Sequence, residues 1–298
     1  MTPAHGYFPT APDAAPLPRP VTEAGPARRL RDAIEPLGAH AFWNRLTNQR
    51  NLDLGLDRFS GYVWGRAAAL GEPPAELVVS AFAWFEPVSI TVAYERGRST
   101  VARAEMVQGR DQTTAESLGG ILSGADLEPA IAILRRGLAA ADGIGRPLFS
   151  GLRSRPWPEP AVGRLWRACD LLREHRGDSH IAACIAAGFG ALEMNVLTEL
   201  WLDMTPVSYS ATRRWSEARL TAAVADLEDT GLVAGGTLTE SGRSVRDEIE
   251  ARTDALEKPI LDAIGGDLEW LLEQLEPWSQ AVVSVGAFSP DPRKRAAG

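Results

Sequence analysis

Leu227-Glu228-Asp229-Thr230-Gly231-Leu232-Val233-Ala234-Gly235-Gly236-Thr237-Leu238-Thr239-Glu240-Ser241-Gly242-Arg243 holds two short apolar runs on either side of a Gly-Gly pair. Leu232-Val233-Ala234 and Thr237-Leu238-Thr239 read as the strands of a hairpin, because glycine accepts the positive φ that a two-residue connection demands. Upstream, Leu220, Val224 and Leu227 recur at spacings of four and three, which predicts a helix over 216–230 with Ser216 at its N-cap. Downstream, Val245, Ile249, Leu256, Ile260 and Ile264 mark a long helix from Glu240, and 268–285 is a final helical stretch.

Farther upstream, 191–202 and 210–215 add helical segments. Helix, helix, helix, two-stranded wing, long helix is the order of a winged helix-turn-helix. The quoted stretch resembles the MarR family over residues 181–255. That resemblance implies that the helix at 216–230 enters a major groove and that the wing tip meets the minor groove with basic residues. This helix, however, carries Glu217, Asp226, Glu228 and Asp229 against Arg219 alone, a formal charge of -3. The wing tip, Ala234-Gly235-Gly236, has no cation, and the adjacent positive pair near the turn is Arg213-Arg214. Base readout and phosphate contact both need donors there. With a net charge of -8 and a pI near 5.2 for the whole chain, nucleic acid is not the expected partner.

The N-terminal half predicts helices from 27 to about 90, after a Pro- and Ala-rich tail at 1–26 expected to be disordered. It holds Phe42, Trp43, Phe59, Tyr62, Trp64, Phe82, Trp84 and Phe85, eight of the chain's 21 aromatic residues. One reading is a core packed with large side chains. The other is a pocket walled by Tyr62, Trp64, Phe82 and Phe85, with Arg66, and secondarily Arg45, anchoring an anionic or planar ligand. Residues 96–112 read as a polar loop, Leu127, Ile131, Leu134 and Leu138 as an amphipathic helix, and 146–160 as an ordered crossover. The expected division is a helical domain at 27–160, a winged-helix domain at 161–288 and a disordered basic tail at 289–298. The fold class is mainly α with a small two-stranded β-wing.

Leu171-Leu172-Arg173-Glu174-His175-Arg176-Gly177-Asp178-Ser179-His180 places two of the four histidines within six residues. Val162, Leu165, Trp166, Cys169 and Leu172 predict a helix that leads into it. Gly177 reads as its stop, and Asp178 as the N-cap of a new helix that takes in His180. Three readings stand side by side. Asp178 and His175 serve only as helix-end groups. Alternatively, His175, Asp178 and His180 ligate a divalent metal, with Glu193 as an extra carboxylate and His40 or His5 as a third nitrogen. In the third, His175, Asp178, His180 and Arg176 form a metal-free acid–base and anion-stabilising cluster. No cofactor is required by the sequence, and no Gly-x-Ser-x-Gly elbow or phosphate-cradling loop is present.

Residues 61–70, 145–157, 171–187 and 214–255 also resemble an actinobacterial family of helix-turn-helix-related proteins, marked by a Leu-Leu-Arg-Glu-His-Arg-Gly-Asp-x-His segment. That resemblance implies an architecture and a site, not an activity. The Arg-to-Lys ratio of 29 to 2 suits a GC-rich, actinobacterial-type host. The function expected is small-molecule binding on a winged-helix-derived scaffold, with an enzymatic role in specialised metabolism left open. The alternative is a MarR-like, ligand-responsive DNA-binding regulator. Cys169 and Cys184 read as buried small hydrophobes. No secretory leader or membrane-length apolar run is seen, so the chain reads as cytoplasmic, with no membrane partner. The terminal helices could pair between chains as a homodimer or fold back on their own N-terminal half.

Overall fold

The computed structural model describes residues 16–297. Its axis is a helix of 26 residues, Ala161–Ala186, about 39 Å long at 1.5 Å per residue. Pro160, in extended conformation, sets its start, and no proline interrupts it. It runs unbroken through Gly177 and Asp178, so the expected helix junction there does not exist. A single glycine costs a helix interior only about 1 kcal/mol, and this helix is buried along most of its length.

The first half of this central helix packs on Pro26–Gly38. Gly38 allows the close approach, since a Cβ there would lie 3.0 Å from the Cys169 carbonyl oxygen. The Trp166 indole N–H donates to the Gly38 carbonyl at 3.1 Å. Glu128–Ala139, Lys258–Ile264 and Leu268–Ser284 close this core around Leu37, Leu134, Leu165, Trp166, Leu271 and Val282. The final long helices therefore fold back on their own chain. A second core joins Arg58–Ala67, Ala75–Phe82, Pro87–Thr100 and Arg103–Ile121 around Val63, Trp64, Phe82, Tyr94 and Met106.

A third core belongs to the winged helix-turn-helix and takes Ala183 and Cys184 from the end of the central helix. Ala191–Trp201 leads through a short 3-10 turn, Ser210–Arg213, to Glu217–Asp229, which Ser216 caps through the Arg219 amide. Strands Val233–Ala234 and Thr237–Leu238 pair antiparallel, Val233 opposite Leu238, with Gly235 at φ 57° and Gly236 at φ 76°. Thr239 then caps Glu240–Leu256 through the Gly242 amide at 3.0 Å. The mainly α fold with a small β-wing is thus as the sequence predicts.

Two further segments depart from expectation. Residues 96–112 are not a loop: Pro87–Thr100 and Arg103–Ile121 are helices separated only at Val101-Ala102. The second buries Arg110, Thr114 and Ser117 beside Met106 and Leu118, so polar side chains on its inner face mask the helical period. At the C-terminus, Pro292–Ala297 is helical with Arg293 and Ala296 buried. Arg28 and Arg31 donate to the carbonyls of Ala296 and Arg295, which ties this segment down. At the other end Arg19–Thr22 forms a helical turn, while residues 1–15 of the expected tail lie outside the described residues. Among the described residues no single helix is long and apolar enough to cross a membrane.

Trp166 is fully buried where the central helix meets Pro26–Gly38. Trp166→Ala is expected to cost about 3–5 kcal/mol in urea unfolding. A loss below about 1 kcal/mol would place this indole outside the core.

Candidate functional site

On a helix, residues at i, i+3, i+4 and i+7 share one face. Arg173, Arg176, Gly177 and His180 form such a stripe on the central helix, and it floors a cleft that is partly open to solvent. Pro26–Gly38 contributes Arg28, Arg31 and Glu35, and Arg58–Ala67 contributes Tyr62 and Arg66. Trp84 and Phe85 follow Ala83, whose positive φ of 37° turns the chain toward the cleft. The winged-helix half supplies Asn195, Thr198, Tyr209, Arg213, Arg246 and Glu250.

Seven of the lining residues are arginines: Arg28, Arg31, Arg66, Arg173, Arg176, Arg213 and Arg246. Six of them are held by carboxylates. Arg66 pairs with both oxygens of Glu174 at 2.8 and 2.7 Å, and Arg173 bridges Glu174 and Glu35. Glu250 gathers Arg28, Arg176 and Arg246, while Asp32 pairs with Arg28 and Arg31, and Asp254 with Arg176. Seven guanidiniums against five carboxylates leave an excess of two positive charges. Burial would raise the Glu174 carboxyl, but the charge and hydrogen bonds of Arg66 hold it down at about 2. Glu250 is likewise held well below the usual range, because three arginines outweigh its burial. Arg176 is buried, and its Nη1 has no hydrogen-bond partner among the described residues. Arg213 is stacked at 4.9 Å from the Phe85 ring and 4.5 Å from the Tyr209 ring, and donates to the Tyr209 hydroxyl.

Of the residues singled out in the sequence, Tyr62, Arg66, Phe85, Arg176 and His180 line the cleft. His175 and Asp178 do not, because an unbroken helix puts residues 175 and 180 about 140° apart. His175 donates from Nδ1 to Glu257 at 2.8 Å and packs against the edge of Phe149 at 4.9 Å. Ser179 donates to the same carboxylate and accepts from Arg146, so this face ties the central helix to the helices on either side of it. Asp178 is not an N-cap of its own helix. It accepts the Phe149 amide at 3.0 Å, at the start of Pro147–Arg153, and burial pushes its carboxyl up to about 7 against that hydrogen bond. Trp64 is fully buried and donates to the Val101 carbonyl, Phe82 lies under the Arg66 guanidinium at 4.7 Å, and Glu193 sits half-buried in the first turn of Ala191–Trp201. These three support the cleft or stand apart from it rather than line it.

Geometry fixes the His180 tautomer. The Thr253 hydroxyl donates to the Ile249 carbonyl at 2.8 Å and therefore accepts from His180 Nδ1–H at 3.0 Å. The Nε2 lone pair is left facing the Cys184 thiol at 3.6 Å. Burial, reinforced by the charge of Arg246, drives the imidazole down to about 3, so it is neutral and suited to accepting hydrogen bonds. The Cys184 thiol is pushed up to about 12 by burial. No group of three His, Cys, Asp or Glu side chains among the described residues is placed to hold a metal ion. His40, with its Nε2 2.9 Å from the Ser117 hydroxyl, is buried away from the cleft, and His5 lies outside the described residues.

Sequence reading missed Arg28, Arg31, Arg173, Arg213, Arg246 and Glu250. The signal available was local, in the Arg173/Arg176/Gly177/His180 stripe and the Arg246/Glu250 i,i+4 pair. The convergence of eight chain segments carried no local signal.

Residues 27–289 match a helix-turn-helix family. The chain belongs to that helix-turn-helix family. No curated protein and no solved structure matches it. In this helix-turn-helix protein the helix Glu217–Asp229 exposes Glu217, Arg219, Asp226, Glu228 and Asp229. The neighbouring basic pair is engaged elsewhere: Arg213 lines the cleft and Arg214 stacks 4.5 Å from the Phe59 ring.

Two outcomes are expected of the site. Arg66→Ala should destabilise the protein by about 3–5 kcal/mol, because it strands the buried Glu174 carboxylate. Chemical denaturation measures this, and a loss under about 1 kcal/mol would mean that Glu174 finds other partners. Asp178, with a folded-state pKa raised above the unfolded value, contributes stability that is full below about pH 4 and is lost as pH rises through about 7. The stability of wild type relative to Asp178→Asn should therefore fall between those limits, and a pH-independent difference would contradict the shift.

Proposed function

We propose that this helix-turn-helix protein binds an anionic small molecule in the arginine-lined cleft. The observation that carries the reading is the excess of guanidinium over carboxylate around a cleft partly open to solvent. The buried Arg176 Nη1 adds a donor that the protein itself leaves unmatched. Leaving a buried donor unmatched is costly, and a ligand oxygen would remove that cost. The aromatic residues Tyr62, Trp84, Phe85 and Tyr209 supply apolar wall beside the charges, the usual composition of a small-molecule site. His180, neutral and with both ring nitrogens engaged by Thr253 and Cys184, adds an uncharged ring to the same floor.

The family match favours a second reading, in which the ligand regulates DNA binding. Against direct DNA contact stands the exposed acidic face of Glu217–Asp229, which places negative charge where phosphate neutralisation needs cations. The 3-10 turn that precedes this helix carries Arg213 into the lining of the cleft.

At fixed ionic strength, inorganic phosphate should raise the thermal unfolding midpoint of the wild type by selective binding to the native state. Arg213→Ala should abolish the shift while changing the stability of the free protein by less than about 1 kcal/mol, since no carboxylate is stranded by its loss. An unchanged midpoint in phosphate would contradict the anion site. Tight, salt-sensitive retardation of the protein's own upstream DNA would establish the regulator instead.

A further inference from the structure

Gly177 has no structural reason to be glycine. Its φ is not positive, and it lies near the middle of the longest helix, where alanine is the better residue. Several other helical glycines have a packing reason that Gly177 lacks. A Cβ at Gly97 would lie 2.4 Å from Trp64 Cβ, and one at Gly163 would lie 2.7 Å from Pro158 Cβ. A Cβ at Gly177 would meet nothing within 4 Å. It would project only into the cleft, between Arg173, Arg176 and His180. What the missing methyl keeps clear is the floor of the site.

Two further observations define what that floor receives. Two positive charges are in excess among the lining arginines and their carboxylate partners, and the unmatched Arg176 Nη1 belongs to the residue adjoining Gly177. Around them stand the rings of Tyr62, Trp84 and Phe85, with Trp84 5.6 Å from the His180 ring. Resting on the anion-site reading above, we infer that the ligand is an organic dianion with a flat body. That body lies directly on the helix backbone at Gly177, with one anionic group on Arg176. Charge balance sets the dianion, the bare backbone sets the close approach, and the aromatic walls set the flatness. Gly177 is then a specificity residue, one whose replacement by alanine improves the fold and harms the site.

Titration calorimetry at constant ionic strength and about pH 7.5, where carboxylates are ionised, tests this with three probes. Isophthalate is flat with two carboxylates, benzoate flat with one, and succinate flexible with two. Wild type should bind isophthalate at least about tenfold more tightly than either of the others. Gly177→Ala should raise the unfolding midpoint of the free protein by roughly 2 °C and weaken isophthalate at least about tenfold. Gly119→Ala, in another helix with its nearest outside atom 3.9 Å from the new Cβ, is the control for helix stabilisation and should leave isophthalate binding unchanged. Undiminished isophthalate binding by Gly177→Ala would overturn the floor while leaving the anion site standing. Benzoate binding as tightly as isophthalate would overturn the dianion, and succinate doing so would overturn the flat body. If none of the three carboxylates nor inorganic phosphate binds the wild type, the anion site itself fails, and this inference with it.

Discussion

The bidentate pair of Arg66 with Glu174 is the constraint on which the rest of the arrangement depends. It joins the aromatic N-terminal helices to the central helix, and Arg173 extends it through Glu174 to Glu35 on Pro26–Gly38. Buried ion pairs add little net stability, because desolvating two charges offsets most of their attraction. Apolar residues of similar size would hold these helices together at least as well. Fold stability alone is therefore a poor reason for seven arginines around one cleft. The carboxylates then have a clear physical role. They keep the guanidiniums apart, oriented and mostly neutralised.

The central helix also decides which side chains share the cleft. Its rotation sends Arg173, Arg176, Gly177 and His180 to the cleft side, and His175, Asp178 and Ser179 to the side that holds Pro147–Arg153 and Glu257. One face of the segment is a polar clasp between helices and the other lines the cleft, although the two interleave within ten residues of sequence.

That interleaving explains what could be read from the sequence. The wing was legible because Gly235-Gly236 between β-prone runs has few alternatives, and the helix before it because Leu220 and Leu227 keep a clean period. The stretch at 171–180 was legible as special but misread in geometry. Gly177 and Asp178 are a stop-and-cap pair by local rules, yet burial on several faces outweighs one glycine and keeps the helix going. A site reading that relied on a turn to bring His175 and His180 together therefore separated when the helix proved continuous. Tyr62, Arg66 and Phe85, which line the cleft, stand out in the sequence because aromatic density around an arginine is a local signal. Arg28, Arg31 and Arg246 were not, since the partners that bring them to the cleft are distant in sequence.

The link between the cleft and the helix-turn-helix surface is short. Residues 203–214 include three non-glycine positions of positive φ, Asp203, Val207 and Arg214, each of which costs on the order of 1 kcal/mol. Glu199 offsets that strain. Its buried carboxylate accepts the amides of Val207, Tyr209 and Ser210 and the Ser210 hydroxyl. The loop so fixed carries Tyr209 and Arg213 into the cleft, and Ser216, two residues beyond Arg214, caps Glu217–Asp229. Trp215 and Asn195 both donate to the Trp84 carbonyl at 2.9 Å, which pins the same loop to the opposite wall. Arg213 thus stands in a strained segment whose far end sets the first turn of the exposed acidic helix. In this helix-turn-helix scaffold, which carries acid on its outward helix face, the loop joins the wall of the cleft to that face.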